Sequence, residues 1–187
     1  MKLNNTYYII RHGLSTSNIQ SYLSAWPEKK ISRLTPEGKQ TIKKAAQSFK
    51  KIGINLIFSS DLYRTQQTAQ IISKITKTKI IIDKGLRELN PGIFNNTHNG
   101  DYTGHFKNNA ERLTKRPPQG ENLLDCQERM AKTLKKIDKK YKNKNILIIS
   151  HGNPLWMLEA FVKEWNRSKI LKEYENRIIP GEWRKIN

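Results

Sequence analysis

The sequence predicts an α/β fold, a three-layer α/β/α sandwich around a mostly parallel central sheet. Two observations carry this. Short apolar runs alternate with longer segments whose apolar residues recur at helical spacing, as in strands joined by helical crossovers and covered on both faces. The most reactive residue types then fall directly after these runs, where the binding crevice of such a sheet lies.

Taken in order, Tyr7-Tyr8-Ile9-Ile10 reads as a buried strand. Thr35-Pro36-Glu37-Gly38 opens a helix, with Thr as N-cap and Pro in the first turn. Ile42, Ala45, Ala46, Phe49 and Ile52 continue it at helical spacing, and Gly53 closes it. Leu56-Ile57-Phe58 is a second strand, and Leu62, Thr65, Ala69, Ile72 and Ile75 mark the next helix. Ile80-Ile81-Ile82 is a third strand. Residues 84–120 hold five of the ten glycines and three of the seven prolines, so they read as a loop-rich insert with at most a weak helix around 102–114. Leu123, Leu124, Ala131, Leu134, Ile137 and Tyr141 define a long helix, and Ile146 to Ile149 a fourth strand. Pro154 opens a helix running through Phe161, and a shorter one is expected from Ser168 to Tyr174.

The length of 187 residues suits a single domain spanning 1–187. A chain this long can bury a full core without disulfides or metal. The lone cysteine, Cys126, excludes an internal disulfide framework and a multi-cysteine zinc site, and fits a reducing compartment. No apolar run approaches the roughly 20 residues of a membrane span. The run at Tyr7–Ile10 is too short for a signal-peptide core. A soluble, cytoplasmic protein that engages no membrane is expected.

The net charge of +19 points first to nucleic acid, through phosphate neutralisation. A plainer reading stands beside it. Lysine, asparagine and isoleucine, with 25, 17 and 23 copies, all have A/T-rich codons, so genome bias alone supplies many lysines. The charge is also spread along the chain. Its densest stretch, Lys132 to Lys144, falls on the polar side of a helix and reads as a solvated face. Nucleic acid is a possible but not favoured partner.

Three reactive sets follow strands. Arg11-His12-Gly13 follows the first, Ser59-Ser60-Asp61 with Arg64 the second, and Ser150-His151-Gly152 the fourth. A lone histidine after a strand is usually structural. Two of the chain's four, each before a glycine and beside arginines, point to chemistry. The arginine fork matches phosphate oxygens. Neutral imidazole is a nucleophile at pH 7, and glycine lets a backbone approach a ligand closely. No Walker-type loop is present, and no His-x-x-x-His or carboxylate cluster suggests a metal. Two arginines and two histidines would then neutralise the charge on a transferring phosphoryl group by themselves. A leaving alkoxide still needs a proton, and Glu88, in Leu86-Arg87-Glu88-Leu89 after the third strand, is the carboxylate placed to give it and later to act as base for water.

Arg11-His12-Gly13 with Ser15 and Asn18 resembles the signature of the histidine phosphatase superfamily, the phosphoglycerate mutase-like fold. The likeness continues, in the family's order, at Leu34 to Gln40, at Phe58 to Ala69, at Leu86 to Leu89, at Gly120-Glu121-Asn122 and at Ile149 to Gly152. It implies that His12 is the nucleophile, forming a phosphohistidine. Arg11, Arg64 and His151 would complete the phosphate pocket, with Gly152 beside them, and Glu88 would be the proton donor. Ser15 and Asn18 would line the pocket. It also implies no metal and no organic cofactor. The activity implied is hydrolysis of a small phosphorylated metabolite, by a monomer or homodimer.

The sequence departs from the family's pattern in places. Leu14 stands where Glu or Gln is usual, Asn95-Asn96 follows Phe94 where Glu-Gly is usual, and Asn122 replaces a Ser. Beyond Asn176, the C-terminal segment 176–187 finds no place in it. These departures touch substrate identity, which residues 90–118 should set. A phosphomutase is the alternative within the family. Its cofactor-dependent mutases are longer and carry Glu-Arg-His-Tyr-Gly at the acid, where this chain has Glu88-Leu89-Asn90-Pro91-Gly92. A basic RNA-associated module is the alternative outside it, although no nucleic-acid motif is present.

Lesser candidates have plainer readings. His98 and His105 read as exposed loop residues, Cys126 as a small buried one, and Trp156 and Trp165 as packing residues. Asp61 reads as a helix N-cap rather than a second acid. Arg87 reads equally as a substrate contact or a surface ion-pair partner.

Overall fold

A computed structural model describes all residues from Met1 to Asn187. Strand β1 (Thr6–Arg11) leads through the one-turn helix α1 (Thr16–Ile19) to α2 (Pro36–Ile52) and β2 (Leu56–Ser59). Helix α3 (Tyr63–Thr76) and β3 (Ile80–Ile82) follow. Residues 84–120 hold two single-turn 3-10 helices and the short helices α4 (Asn99–Gly104) and α5 (Glu111–Thr114). Then come α6 (Leu123–Lys140), β4 (Asn145–Ser150), α7 (Gly152–Val162), α8 (Arg167–Lys172) and β5 (Trp183–Lys185).

The strand order is β3-β2-β4-β1-β5. The first four strands are mutually parallel, and β5 pairs antiparallel to β1 at the edge. Parallel strands buried on both faces must be apolar along their whole length, and β4 shows it. Ile146 and Ile148 enter a core layer with α6 and α7, while Leu147 and Ile149 enter the opposite layer with α2 and α3. The sheet is thus a plate between two pairs of helices, with the C-terminal ends of β1, β2, β3 and β4 along one rim.

The helix signals work locally as expected. Thr35 Oγ1 accepts the Gly38 amide at 2.9 Å, and Gly53 ends α2 with φ 74°. Asn122 and Asp125 form a reciprocal capping box that starts α6. Three expectations need correction. The single helix around 102–114 is two short helices, because the Lys107–Ala110 stretch turns, and Asn108 Oδ1 accepts the Glu111 amide to restart the chain. Helix α7 begins at Gly152, ahead of Pro154, with His151 at its N-cap. Asp61 does not cap α3. Leu62 occupies that position without a side-chain bond, and the Asp61 carboxylate takes the Arg87 guanidinium in a bidentate pair.

Gly13 also has a different role from the one expected. A Cβ there would lie 2.8 Å from the Gly38 carbonyl oxygen, and one at Gly38 would overlap the Leu14 carbonyl. The two glycines let the loop after β1 lie against the first turn of α2, so the close approach is backbone to backbone. Gly38→Ala should therefore cost about 1–3 kcal/mol by overpacking. Thermal melting should show a drop of at least about 2 °C, and an unchanged Tm would contradict this packing.

The basic stretch is a solvated face. Lys132, Lys135, Lys136, Lys139 and Lys140 are exposed along α6, while Asp138 between them is buried. Asp138 accepts from Asn4, Asn5 and the Tyr7 hydroxyl, which ties the N-terminus to α6. No helix is long and apolar enough to cross a membrane.

Candidate active site

The rim formed by the strand ends opens into a cleft of about 390 Å³. Arg11 and His12 come from the end of β1, and His151 from the end of β4 in the adjacent register. Arg64 lies in the first turn of α3 after β2, and Glu88 follows β3. Four separate strand ends thus deliver one cluster.

Hydrogen bonds fix the state of each imidazole. His12 Nδ1 lies 2.9 Å from the Gly13 carbonyl, and Arg64 Nε donates to His12 Nε2 at 3.0 Å. A carbonyl can only accept and a guanidinium can only donate, so Nδ1 carries the proton and Nε2 holds the lone pair that accepts from Arg64. The Arg64 Nη2 donates to His151 Nδ1 at 2.9 Å, leaving His151 Nε2–H for the Ser60 hydroxyl at 3.0 Å. The two rings stand edge to face with centroids 5.3 Å apart.

The same arrangement keeps both imidazoles neutral. Burial, then the charges of Arg64 and Arg11, hold His12 well below the ordinary histidine range. Burial and Arg64 do the same to His151. A lowered histidine pKa means the ring stays unprotonated as pH falls through the usual value near 6.5. In an NMR titration, the His12 and His151 imidazole signals should stay those of the neutral ring down to pH 6. Protonation of His12 at or above pH 6.5 would contradict this electrostatic reading.

Arg64 organises the cluster. It is 2% exposed. Besides the two histidines, it donates to the Ser24 hydroxyl and carbonyl at 3.1 and 2.7 Å, and it pairs with Glu28 at 3.5 Å. Arg11 is less engaged. One Nη1 bond reaches the Ile178 carbonyl at 3.2 Å, and its buried Nε has no partner. Glu88 lines the cleft, with Oε1 accepting the Leu89 amide at 2.8 Å. Burial raises its pKa against the pull of Arg64 and Arg11. A raised carboxyl pKa keeps a proton available, which a general acid requires.

The other sequence candidates divide. Asn18 and Gly152 line the cleft, and so does Ser17. Ser15 does not: it is fully buried, and its hydroxyl donates to Asn18 Oδ1 at 2.8 Å, so it orients Asn18 from behind. Gly152 sits against Arg11, where a Cβ would lie 3.2 Å from Nη1. His98 caps α4, and His105 packs on Phe94 and Phe106; neither lines the cleft. Cys126 and Trp156 are buried core residues. Burial pushes the Cys126 thiol up, so it is no thiolate nucleophile. Trp165 is partly buried and packs on the core. Arg87 is spent on Asp61 and on the Trp26 ring at 4.0 Å. Burial alone would raise the Asp61 pKa, but the bonds and charge of Arg87 lower it, so Asp61 is no rival acid.

Sequence reading missed Ser17 on α1 and Ser24 and Glu28 in the loop that follows it, which reach the site between β1 and α2. It also missed Tyr102, Arg112, Tyr174 and Arg177, which line the cleft from the insert and the C-terminal region. The departure at Asn95 has a structural account. Its amide accepts from Ala25 N at 2.9 Å and donates to the Pro27 carbonyl at 3.0 Å, holding the loop that carries Ser24. No group of three or more His, Cys, Asp or Glu side chains is placed to hold a metal ion.

Comparison with known proteins identifies the family and the fold. The family model of the histidine phosphatase superfamily (branch 1) matches residues 7–173. A relative named probable phosphoglycerate mutase GpmB, from Escherichia fergusonii, is 33% identical over 160 residues, covering 83% of this chain and 73% of its own. Among solved structures, a mycobacterial glucosyl-3-phosphoglycerate phosphatase superposes with TM-score 0.83 at 19% identity, over 96% of this chain and 88% of that one. The alpha-ribazole phosphatase of Shigella flexneri gives 0.81 at 21% identity, over 97% and 90%.

Proposed function

The chain belongs to the histidine phosphatase superfamily, and from that premise we propose that it hydrolyses a small phosphomonoester through a phosphohistidine on His12. The observation that carries this reading is the His12 tautomer. Its Nδ1–H is held by the Gly13 carbonyl, and its Nε2 lone pair faces the arginine that would clamp the phosphoryl group.

The steps follow from the geometry. His12 Nε2 attacks phosphorus, and the P–O bond to the leaving group breaks. The Arg64 Nε–H, which meets the Nε2 lone pair in the free protein, turns to a phosphoryl oxygen once that lone pair is in the P–N bond. Arg11, with its unpartnered Nε, supplies further donors to the equatorial oxygens, and His151, fully buried and not among the residues lining the cleft, holds Arg64 from behind by accepting from its Nη2. Fixed donors aimed at developing charge lower the barrier without reorganisation. Glu88 gives its proton to the leaving oxygen, then takes one from the water that attacks the phosphohistidine. Residues 84–120, contributing Pro91, Asn99, Tyr102, Thr103 and Arg112 to the cleft, form its substrate-selecting wall.

The test is hydrolysis of p-nitrophenyl phosphate by the purified chain, with and without EDTA. The arginines supply the charge that a metal would, so turnover unaffected by EDTA is expected. Loss of activity on chelation, restored by a divalent ion, would overturn the metal-independent mechanism.

A mutase is the second reading, favoured by the 33% identity to a probable phosphoglycerate mutase. It requires isomerisation of 3-phosphoglycerate stimulated by 2,3-bisphosphoglycerate. Hydrolysis without that isomerisation supports the phosphatase.

A further inference from the structure

Glu88 stands on a stretch with no regular structure of its own. Residues 87–91 are neither helix nor strand, and the one hydrogen bond to the Glu88 carboxylate comes from the adjacent Leu89 amide. The stretch is held from outside, by two residues that line no part of the cleft. Arg129, on α6, sends Nη1 to the carbonyls of Gly85 and Arg87 at 2.8 and 3.0 Å. Its Nε and Nη2 meet the two carboxylate oxygens of Glu121 at 3.2 and 2.5 Å. Glu121 Oε1 accepts the Asn90 amide at 2.9 Å, and the Glu121 amide donates to the Asn90 carbonyl at 3.0 Å. One guanidinium–carboxylate pair therefore grips the backbone on both sides of Glu88, at 85 and 87 before it and at 90 after it.

A general acid works only within about 2.6–3.2 Å of the atom it protonates. A displacement of about 1 Å costs on the order of 10²-fold in rate. Glu88 has no side-chain partner to keep it in place, so its reach is set by where its backbone is pinned. A planar fork with five donors serves two carbonyls and a carboxylate together; an ammonium in the same place cannot.

We propose that Arg129, braced by Glu121, is a positioning residue for proton transfer to the leaving group: it sets where Glu88 stands without touching substrate. This rests on the reading of Glu88 as the general acid.

Phenyl phosphate and p-nitrophenyl phosphate differ in one nitro group, and so in how strongly the departing phenolate needs a proton. The ratio of their kcat/KM values, p-nitrophenyl over phenyl, reports acid catalysis and cancels any general loss of active protein. Glu88→Gln should raise this ratio by about 10²-fold. Arg129→Gln and Arg129→Lys should each raise it by about tenfold. Arg129→Lys keeps the positive charge that acts on Glu88, so its effect is one of position. Thermal melts identify the folded variants, and the lysine variant serves if Arg129→Gln does not fold. In the double variant Glu88→Gln with Arg129→Lys, the ratio should equal that of Glu88→Gln alone, because misplacing the position costs nothing once the acid is gone. A ratio within threefold of wild type in either folded Arg129 variant, or a double variant whose two effects multiply, would overturn the positioning role. A ratio unchanged by Glu88→Gln would instead defeat the acid reading on which it rests.

Discussion

His12→Ala should lower kcat for p-nitrophenyl phosphate by on the order of 10⁴-fold or more, because it removes the atom that bonds to phosphorus. No other side chain in the cluster can substitute. In His151 the Nε2, the nitrogen that attacks in His12, carries the proton and donates to Ser60, and the ring's lone pair on Nδ1 accepts from Arg64. The Cys126 thiol is buried in the core. Loss of His12 also leaves Arg64 Nε without its acceptor, a cost of about 1–3 kcal/mol in stability. The kinetic effect should therefore be read on protein that a melting curve shows to be folded. Residual activity within tenfold of wild type would mean that a different nucleophile, or water directly, attacks phosphorus.

Glu88→Gln should produce a loss that depends on the leaving group. For an alkyl phosphate the departing alkoxide is strongly basic, and removing its proton donor should cost about 10²–10⁴-fold in kcat/KM, which ends at the first phosphoryl transfer and so leaves out the later role of Glu88 as base. For p-nitrophenyl phosphate the phenolate departs with little need of a proton, so the loss should be far smaller. The pH dependence follows from the same group. Burial raises the Glu88 pKa, although Arg64 and Arg11 pull it down. The acid is therefore protonated below that raised value and is lost as pH rises through it. Hydrolysis of an alkyl phosphate should fall on the basic side, with a midpoint above the ordinary glutamate value of about 4.3. That limb should be missing in Glu88→Gln. Equal losses in kcat/KM on both substrates would remove Glu88 from the acid role.

The end of the cleft that holds His12, Arg64 and Glu88 was legible in the sequence because its residues sit at or just beyond strand ends. A four-residue apolar run followed by Arg11-His12-Gly13 fixes both the strand and what stands on its rim. The same holds for Ser150-His151 after β4, and for Glu88 shortly after β3. The periodic helices α2 and α6 were legible for a similar reason, since capping and apolar spacing are local. What was not legible depends on contacts between distant segments. Arg177 reaches the cleft from a segment without periodicity, and β5 is three residues whose place comes only from pairing with β1. Ser24 acquires meaning only when its loop folds over Arg64, held there by Asn95, which lies 70 positions from Ala25. Asp61 looked like a cap because its local context fits one. Its true partner, Arg87, lies 26 positions away and outcompetes the helix amides with a full charge.

The positive charge that first suggested nucleic acid divides the same way. The lysines of α6 are solvent-exposed, while Arg11, Arg64, Arg112 and Arg177 converge on one cleft. Charge gathered in a cleft focuses the field on small anions more than charge spread over a convex surface does.

The most direct test is to trap the intermediate. The wild-type chain, mixed with p-nitrophenyl phosphate and quenched in base within the first turnover, should carry one phosphoryl group. Peptide mass spectrometry should place it on His12, and acid should remove it. A phosphohistidine on His12 that is absent from Glu88-intact His12→Ala is the predicted result. Turnover with no covalent phosphoryl group at any quench time, or a group located on another residue, would contradict the account.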